Sequence, residues 1–390
     1  MAFFTDVDME LIWATNSFKI NGVTYAGFPI LLHDSMRGVS EVNSFLRYYL
    51  VERGRVGSNK TWLVVGQALY DYYGFLQAHD LRWDKVCLGE SSSIIAAYRD
   101  YCLRTVKLSR NTVRQRLNYV CKFYEYAAQH KWISDVPFHL ESVFRGAADN
   151  LFSHIDSSGG MTLAKDVMPK SQKLLPKLLS RDEIRLLLSV PCNRHHKMIL
   201  RMGLHTGMRR QEIATFPVDY VFDPATSGQT ARNIQIWLDP NDGTGMQTKG
   251  SRPRNITISR NFMSDLWQYH VHVRGERARL SGQQHHALFL NQFGEPFAAG
   301  GKRLERIIRE IGNLVGVDVH PHKLRHTYAT YTLHALQGGK RSFEPLVFLQ
   351  QQLGHVSIQT TMIYAHLVDS LVDDAVLAFD EEITNWCTET

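Results

Sequence analysis

The sequence contains few cysteines, and these are too scattered to organise a fold. The five are Cys87, Cys102, Cys121, Cys192 and Cys387, with no CxxC pair and no spacing typical of metal ligands. An odd, dispersed set predicts reduced thiols in an intracellular protein. The cysteines therefore indicate neither a disulfide framework nor a structural metal site.

Two kinds of hydrophobic segment are missing as well. No run of about 18 apolar residues occurs, which excludes a membrane-spanning helix on sequence grounds. The first residues, MAFFTDVD, lack the basic region and apolar core of a signal peptide. We therefore predict a protein that is not secreted and that works in the cytoplasm.

Neither sign of charge is in strong excess. Lys plus Arg number 44 against 38 Asp plus Glu, which gives a formal net charge of +6. This mild excess permits a polyanionic partner such as nucleic acid but does not demand one. A length of 390 residues with 44% hydrophobic content predicts two globular domains.

Hydrophobic periodicity divides the chain into segments. Residues 1–38 fit no strong pattern, and either an extended arm or short strands would suit them. Residues 39–132 have a helical period, and the stretches 41–53, 61–79, 91–107 and 112–130 predict four helices. In the last of these one face is apolar, and Ser109 or Asn111 can cap the helix start. The residues of that face are Val113, Leu117, Val120, Cys121, Tyr124 and Ala128.

The remainder of the chain predicts a linker and a second domain. Residues 133–177 lose periodicity and include a Pro- and Lys-rich stretch, so we predict a long linker, with or without a short helix of its own. Residues 178–367 open with a capping box at Ser180 and Glu183, and two alternating segments, 233–238 and 254–259, predict a small antiparallel sheet. Residues 368–390 predict an acidic amphipathic helix. The predicted fold class is mainly α with one small antiparallel sheet.

Four segments of the second domain contain residues suited to phosphate chemistry. They are TGMRRQE, with Arg209 and Glu212; QTKG in the turn between the strands, with Lys249; HKLRH, with His322 and Arg325; and LGH, with His355, followed nine residues later by Tyr364. Taken singly, each has an ordinary structural explanation. His322 and His326, one helical turn apart, could also bind zinc, but no third ligand stands at metalloprotease spacing.

In order and spacing these segments resemble the tyrosine recombinase, or phage integrase, family. The family pattern is T-G-x-R-x-x-E, a lysine in a β-hairpin, H-x-L-R-H, L-G-H and a tyrosine nine residues on. The resemblance covers about residues 180–367 and is weaker for the helices at 39–132. It implies a site-specific recombinase with a helical core-binding domain and a mixed α/β catalytic domain that clamp DNA in a C shape.

The resemblance also implies a role for each residue. Tyr364 would attack the scissile phosphate and form a 3′-phosphotyrosyl intermediate, so that strand exchange and rejoining need neither ATP nor metal. Arg209 and Arg325 would bind the phosphate through paired donors. His322 and His355 would add hydrogen bonds, with His322 also helping to deprotonate the tyrosine. Lys249 would protonate the departing 5′-oxygen, and Glu212 would orient its neighbours.

The implied partners are DNA and further copies of the chain. Double-stranded DNA with specific sites, a homotetramer in the synaptic complex and accessory DNA-bending or directionality proteins are expected, with no cofactor and no membrane. The protein would act in the bacterial cytoplasm in association with the nucleoid. Its gene would belong to a mobile genetic element. The helix at 112–130 and its entry would contact DNA through the basic residues Lys107, Arg110, Arg114 and Arg116, although a basic helix face is often only solvated.

Two alternatives remain open at this point. A type IB topoisomerase shares the arginine, lysine, histidine and tyrosine chemistry but relaxes supercoils alone. A catalytically silent DNA-binding accessory protein could be built on the same fold. The helical N-terminal region and the H-x-L-R-H and L-G-H motifs favour the recombinase over the topoisomerase. The complete set of catalytic positions favours it over the accessory protein.

Overall fold

The computed structural model describes residues 9–54, 59–86, 93–145, 160–170, 175–228, 230–298, 300–337 and 344–365. Within them the chain divides into two compact units, Met1–Lys173 and Leu174–Thr390. The predicted acidic helix at 368–390 and the first eight residues lie outside the described residues. Within the described ranges, no helix combines the length and the apolar character needed to cross a bilayer.

In its described residues the first unit contains four α-helices, in the region 39–132 where four were predicted. They are α1 (Ser40–Arg47), α2 (Asn59–Ala78), α3 (Ile94–Asp100) and α4 (Arg110–Gln129), with π-helical turns extending α1 to Glu52 and α3 to Thr105. The predicted apolar stripe of α4 is buried from Val113 to Tyr124, and Ala128 at its end is half-buried. Ser109, one of the two candidate caps, accepts a hydrogen bond from the Thr112 amide at 3.2 Å.

Short strands, one of the two alternatives left open, precede these helices. Strands β1 (Met9–Trp13) and β4 (Pro29–His33) pair antiparallel, and so do β2 (Lys19–Ile20) and β3 (Val23–Thr24). Strand β4 packs against α1 and α2. Because Phe28 and Leu31 are buried in the same core as the helices, these strands belong to the first unit.

The structure differs from the linker predicted at residues 133–177. Strands β5 (Leu140–Arg145) and β6 (Gly160–Lys165) form an antiparallel hairpin, and the described part of 133–177 contains no helix. Ile133, Phe138 and Val167 are buried in the first unit's core, so this stretch belongs to that unit. Strands of six residues separated by a long Gly- and Ser-containing segment leave too short a pattern for periodicity to detect.

The second unit surrounds one antiparallel strand pair with helices. Strands β7 (Asn233–Leu238) and β8 (Arg254–Ser259) occupy the predicted positions and pair from Asn233 opposite Ser259 to Leu238 opposite Arg254. The helices are α5 (Arg181–Ser189), α6 (Arg194–Thr206), α7 (Arg210–Ala214), α8 (Arg260–Gln268), α9 (Gly275–Ser281), α10 (Lys302–Leu314), α11 (Pro321–Gln337), α12 (Pro345–Leu353) and α13 (358–365). The predicted capping box is present at the start of α5.

Two clusters of buried side chains hold the second unit together. The larger one joins both strands to helices α6, α8, α10 and α11. The smaller one contains Leu333, Leu349, Leu353 and Tyr364 and so joins α11, α12 and α13. Tyr364 therefore stands on a helix that is fixed by apolar packing. The predicted fold class is confirmed, although the described residues form four antiparallel strand pairs instead of one.

Candidate active site

Arg209 is positioned by a glycine turn at the end of α6. Gly207 ends that helix in the left-handed conformation, with φ of 62°. A Cβ at Gly207 would lie 2.4 Å from the Tyr328 ring, so both the backbone and the packing require glycine. The chain then turns, and Arg209 stands at the start of α7 with its side chain mostly covered.

Glu212 is buried between two arginines. It accepts hydrogen bonds from the Arg209 side chain at 3.0 Å and from the Arg209 amide at 2.8 Å. Arg254, at the start of β8, donates to both carboxylate oxygens at 2.6 and 2.9 Å. Burial alone would raise the pKa of Glu212, but the bonds and charge of Arg254, with those of Arg209, lower it to about 2. Glu212 is therefore ionised and orients both guanidinium groups.

Arg325 reaches the same place from α11. It is buried and donates to the carbonyl oxygens of Gly207 at 2.7 Å and Leu353 at 2.6 Å. Arg209 donates to that Leu353 carbonyl as well, at 3.2 Å. Burial and the charge of Arg209 lower the pKa of Arg325, but a guanidinium stays protonated at neutral pH. Two positive side chains, Arg209 and Arg325, thus converge on the Leu353 carbonyl.

His355 follows the glycine that ends α12. Gly354 has φ of 65°, and a Cβ there would lie 2.8 Å from Cδ of Arg254. The His355 Nε2 lies 3.1 Å from a donating nitrogen of Arg325, and its Nδ1 lies 3.0 Å from Oγ1 of Thr361. Burial and the charges of Arg325 and Arg209 lower the pKa of His355 to about 3. The ring is therefore neutral, accepting from Arg325 and donating to Thr361.

Tyr364 lies between two histidine rings. Its ring stacks on His355 with centroids 6.1 Å apart, and its hydroxyl lies 3.0 Å from Nδ1 of His326. The residue is only 2% exposed. Burial raises the pKa of Tyr364, while the charges of Arg325 and Arg209 act in the lowering direction without reversing the shift. The phenol is thus protonated in this structure.

Lys249 and His322 occupy more open positions. Lys249 is exposed on the short turn between β7 and β8, where it lines an open cleft together with Arg209 and His355. His322 is exposed one turn before His326 on α11, with the two rings 6.2 Å apart. Partial desolvation and the charge of Arg325 lower the pKa of His322. Of the six predicted catalytic residues, Arg209, Lys249 and His355 line the cleft. Arg325 and Tyr364 are buried in contact with His355, and His322 is exposed one turn from His326.

Three residues of the site were not predicted. Arg254 binds Glu212, His326 binds Tyr364, and buried Gln352 accepts from the Thr257 amide at 2.7 Å and donates to the Thr206 carbonyl. His326 belongs to the HKLRH motif, but the sequence predicts no role for it beyond that of a candidate zinc ligand. Arg254 and Gln352 carry no spacing signal, because their partners come from distant segments.

The four predicted DNA-binding residues fall near the start of α4. Lys107 and Arg110 are exposed, and Arg114 donates to the Pro169 carbonyl. Arg116 instead forms an ion pair of 2.6 Å with the buried Asp71 of α2. A buried carboxylate needs such a partner, so the structure assigns Arg116 to the stability of the first unit.

Sequence comparison identifies relatives of the chain. The profile of the phage integrase family matches residues 177–370. The tyrosine recombinase XerD of Oceanobacillus iheyensis is 24% identical over 342 residues, which cover 85% of this chain and 95% of that protein. The tyrosine recombinase XerC of Escherichia coli O157:H7 is 30% identical over 206 residues, covering 51% and 59%.

Solved structures of similar fold are also recombinases. A XerH site-specific recombinase bound to its palindromic difH substrate has a TM-score of 0.54 at 16% identity, covering 87% of this chain and 95% of that one. The integrase of transposon Tn1549, in complex with transposon right-end DNA, has a TM-score of 0.53 at 16% identity, covering 83% and 94%. At this identity the likeness concerns the fold. With its motifs in order and its second unit matched by the family profile, this chain belongs to the phage integrase family of tyrosine recombinases.

Proposed function

We propose that this protein is a site-specific DNA recombinase in which Tyr364 is the nucleophile. The observation that carries the proposal is the convergence of Arg209, Arg325 and His355 beside the Tyr364 hydroxyl, at the edge of an open cleft. The overlap with named recombinases over most of the chain supports it. Its reaction class is the breakage and rejoining of DNA strands.

The proposed chemistry follows from the charges. Attack on a phosphodiester adds negative charge to the non-bridging oxygens, and two guanidiniums stabilise that charge better than point charges can. In this structure both arginines donate to the Leu353 carbonyl. A bound phosphate would replace this carbonyl as the acceptor. His322 and His355 would add hydrogen bonds to the same oxygens.

The nucleophile and the leaving group each need a proton transfer. The Tyr364 phenol must lose its proton before its oxygen bonds to phosphorus. The P–O5′ bond then breaks, and the 5′-oxygen takes a proton from Lys249, which the exposed turn can bring to DNA. The 3′-phosphotyrosyl link keeps the bond energy, so rejoining needs no ATP.

The partners beyond DNA are part of the proposal. We propose that four copies act together in the synaptic complex, with residues 368–390 docking on a neighbouring copy, and that accessory DNA-bending or directionality proteins assist. Lys107, Arg110 and Arg114 of the first unit are proposed phosphate contacts; Arg116 is not, because Asp71 holds it. The bacterial nucleoid, where such sites lie, is the proposed compartment.

Covalent capture of DNA tests this function. The full-length protein would be incubated with sheared genomic DNA of its source, and protein-linked fragments would be recovered under denaturing conditions and sequenced. We expect one sequence to be enriched, and a nicked duplex carrying it to accumulate a covalent adduct. Tyr364→Phe should bind this duplex with unchanged affinity and form no adduct, because it lacks only the attacking oxygen.

Other outcomes would contradict the proposal. An adduct formed by Tyr364→Phe would exclude this nucleophile. Relaxation of a supercoiled plasmid that lacks the captured sequence would indicate a topoisomerase. Specific binding without any adduct in the wild type would indicate the accessory protein.

A further inference from the structure

The Tyr364 hydroxyl has two neighbours of opposite hydrogen-bonding character. Nδ1 of His326 lies 3.0 Å from the phenolic oxygen, and the positive charge of Arg325 acts on the same phenol. A guanidinium can only donate, so Arg325 cannot take the phenolic proton. Of these two neighbours only Nδ1 of His326 can accept it, and it does so in the tautomer that is protonated on Nε2.

The surroundings of His326 keep its ring able to accept. Burial and the positive charges of His322 and Arg325 lower the pKa of His326 to about 4, so the ring is neutral at pH 7. Nδ1 accepts from the phenol, so the ring proton belongs on Nε2. His322, to which the family resemblance gave the deprotonating role, lies one turn away on the exposed side of the same helix.

We propose that His326 is the general base that removes the proton of Tyr364, an inference that rests on the proposed recombinase function. The phenolic O–H bond breaks and the proton moves to Nδ1, which leaves an imidazolium. The phenolate oxygen bonds to phosphorus as the P–O5′ bond breaks, and the 5′-oxygen takes the proton of Lys249. In rejoining, the imidazolium returns its proton to the departing tyrosine oxygen.

Bound DNA would assist this transfer. Positively charged side chains near His326, Arg325 among them, disfavour an imidazolium there. A phosphate bound by Arg209 and Arg325 offsets that charge and so makes His326 more basic at the moment when the base is needed. The base is therefore weak in the free protein and strengthened by its substrate.

The first test compares amide and alanine replacements at one position. Asn places a carbonyl oxygen close to where Nδ1 stands, so His326→Asn can keep the hydrogen bond but cannot hold a proton. Adduct formation on the captured nicked duplex should slow about 100-fold in both His326→Asn and His326→Ala. His334→Asn, an exposed histidine two turns further along α11, is the matched control and should react at the wild-type rate.

The second test separates the two ends of the reaction. A duplex with sulfur in place of the bridging 5′-oxygen has a leaving group that needs no proton. It should restore adduct formation to Lys249→Ala but not to His326→Asn. Replacing Tyr364 by 3,5-difluorotyrosine, which ionises more easily, should restore His326→Asn by at least tenfold. A merely structural role for His326 would give neither pattern.

The pH profile gives a third readout. The ionisable groups that face His326 come from three segments: His320, His322, Arg325, His355 and Tyr364. The wild-type rate should rise with pH and then level once His326 is neutral, whereas the His326→Asn rate should keep rising with hydroxide concentration.

Each failure has a different meaning. No adduct in the wild type would overturn the proposed function and this inference with it. An adduct formed by His326→Asn within threefold of the wild-type rate would overturn only the role of His326. Rescue of His326→Asn by the sulfur substrate would also overturn it, because the histidine would then act on the leaving group.

Discussion

At the scale of single residues, the site depends on one buried carboxylate. Glu212 accepts from Arg209 and binds both nitrogens of Arg254, and it is essentially unexposed. A buried ion pair contributes little net stability, but removing one partner leaves uncompensated charge. Glu212 is therefore a positioning residue, since without it two buried guanidiniums would repel each other.

This arrangement predicts a pH-dependent loss of stability in Glu212→Gln. The folded pKa of about 2 lies below the ordinary value of 4.5, so the stabilisation is present above pH 4.5 and is lost as pH falls toward 2. At pH 7 the variant should lose about 3 kcal/mol of unfolding free energy. Denaturant unfolding at several pH values should show this difference shrinking below pH 4.5.

The control is another glutamate-to-glutamine change. Glu276 is exposed on α9, and its replacement should alter stability by less than about 0.5 kcal/mol at any pH. A Glu212→Gln variant as stable as the wild type at pH 7 would contradict the positioning role.

At the scale of elements, two helix ends place the catalytic side chains. Gly207 ends α6 just before Arg209, and Gly354 ends α12 just before His355, both with positive φ. Each glycine also faces a side chain too closely for a Cβ. The turn conformation and the packing of the site therefore depend on the same two residues.

Gly207→Ala should destabilise the protein more than a glycine change at an open turn. Gly316 has φ of 68° with no atom within 4 Å of a built Cβ, so Gly316→Ala should cost only backbone strain, about 1 kcal/mol. Gly207→Ala adds overlap with Tyr328 and should cost about 2 kcal/mol more. Thermal unfolding of both variants measures the difference, and equal losses would show that the Tyr328 contact is easily relieved.

At the scale of the whole molecule, each unit has its own core. The aromatic-rich core of the first unit includes Ile133, Phe138 and Val167, which flank the β5–β6 hairpin, and the core of the second joins the strands β7 and β8 to its helices. The proposed nucleophile, cations and general base all belong to the second unit. None of the proposed catalytic residues therefore lies in the first unit.

The acidic tail gives a prediction for the assembled molecule. Residues 368–390 carry six acidic side chains between Asp369 and Glu382 and should be repelled by DNA phosphates. If they dock on a neighbouring copy, deletion of 368–390 should leave binding to a single duplex site unchanged and impair strand exchange between two sites. Exchange at the wild-type rate after deletion would exclude that docking.

The sequence determined the local features of this protein. Alternation of apolar and polar residues predicted both strands of the β7–β8 pair, and the capping box predicted the start of α5. Helical periodicity predicted the apolar stripe of α4. These features depend on neighbouring residues, so local patterns report them. The order of motifs likewise predicted Arg209, Lys249, His322, Arg325, His355 and Tyr364 as one set.

Only the tertiary structure decided which side chains meet. Arg254 contacts Glu212 from 42 positions away, and His326 contacts Tyr364 from 38. The sequence predicts Arg116 as a DNA contact, whereas in the structure it pairs with Asp71 of α2. Such pairs depend on burial and on the packing of distant segments, which no local spacing encodes. The sequence thus predicted the reacting groups. Only the tertiary structure determines which residue pairs with each charged group and which residue lies against the tyrosine hydroxyl.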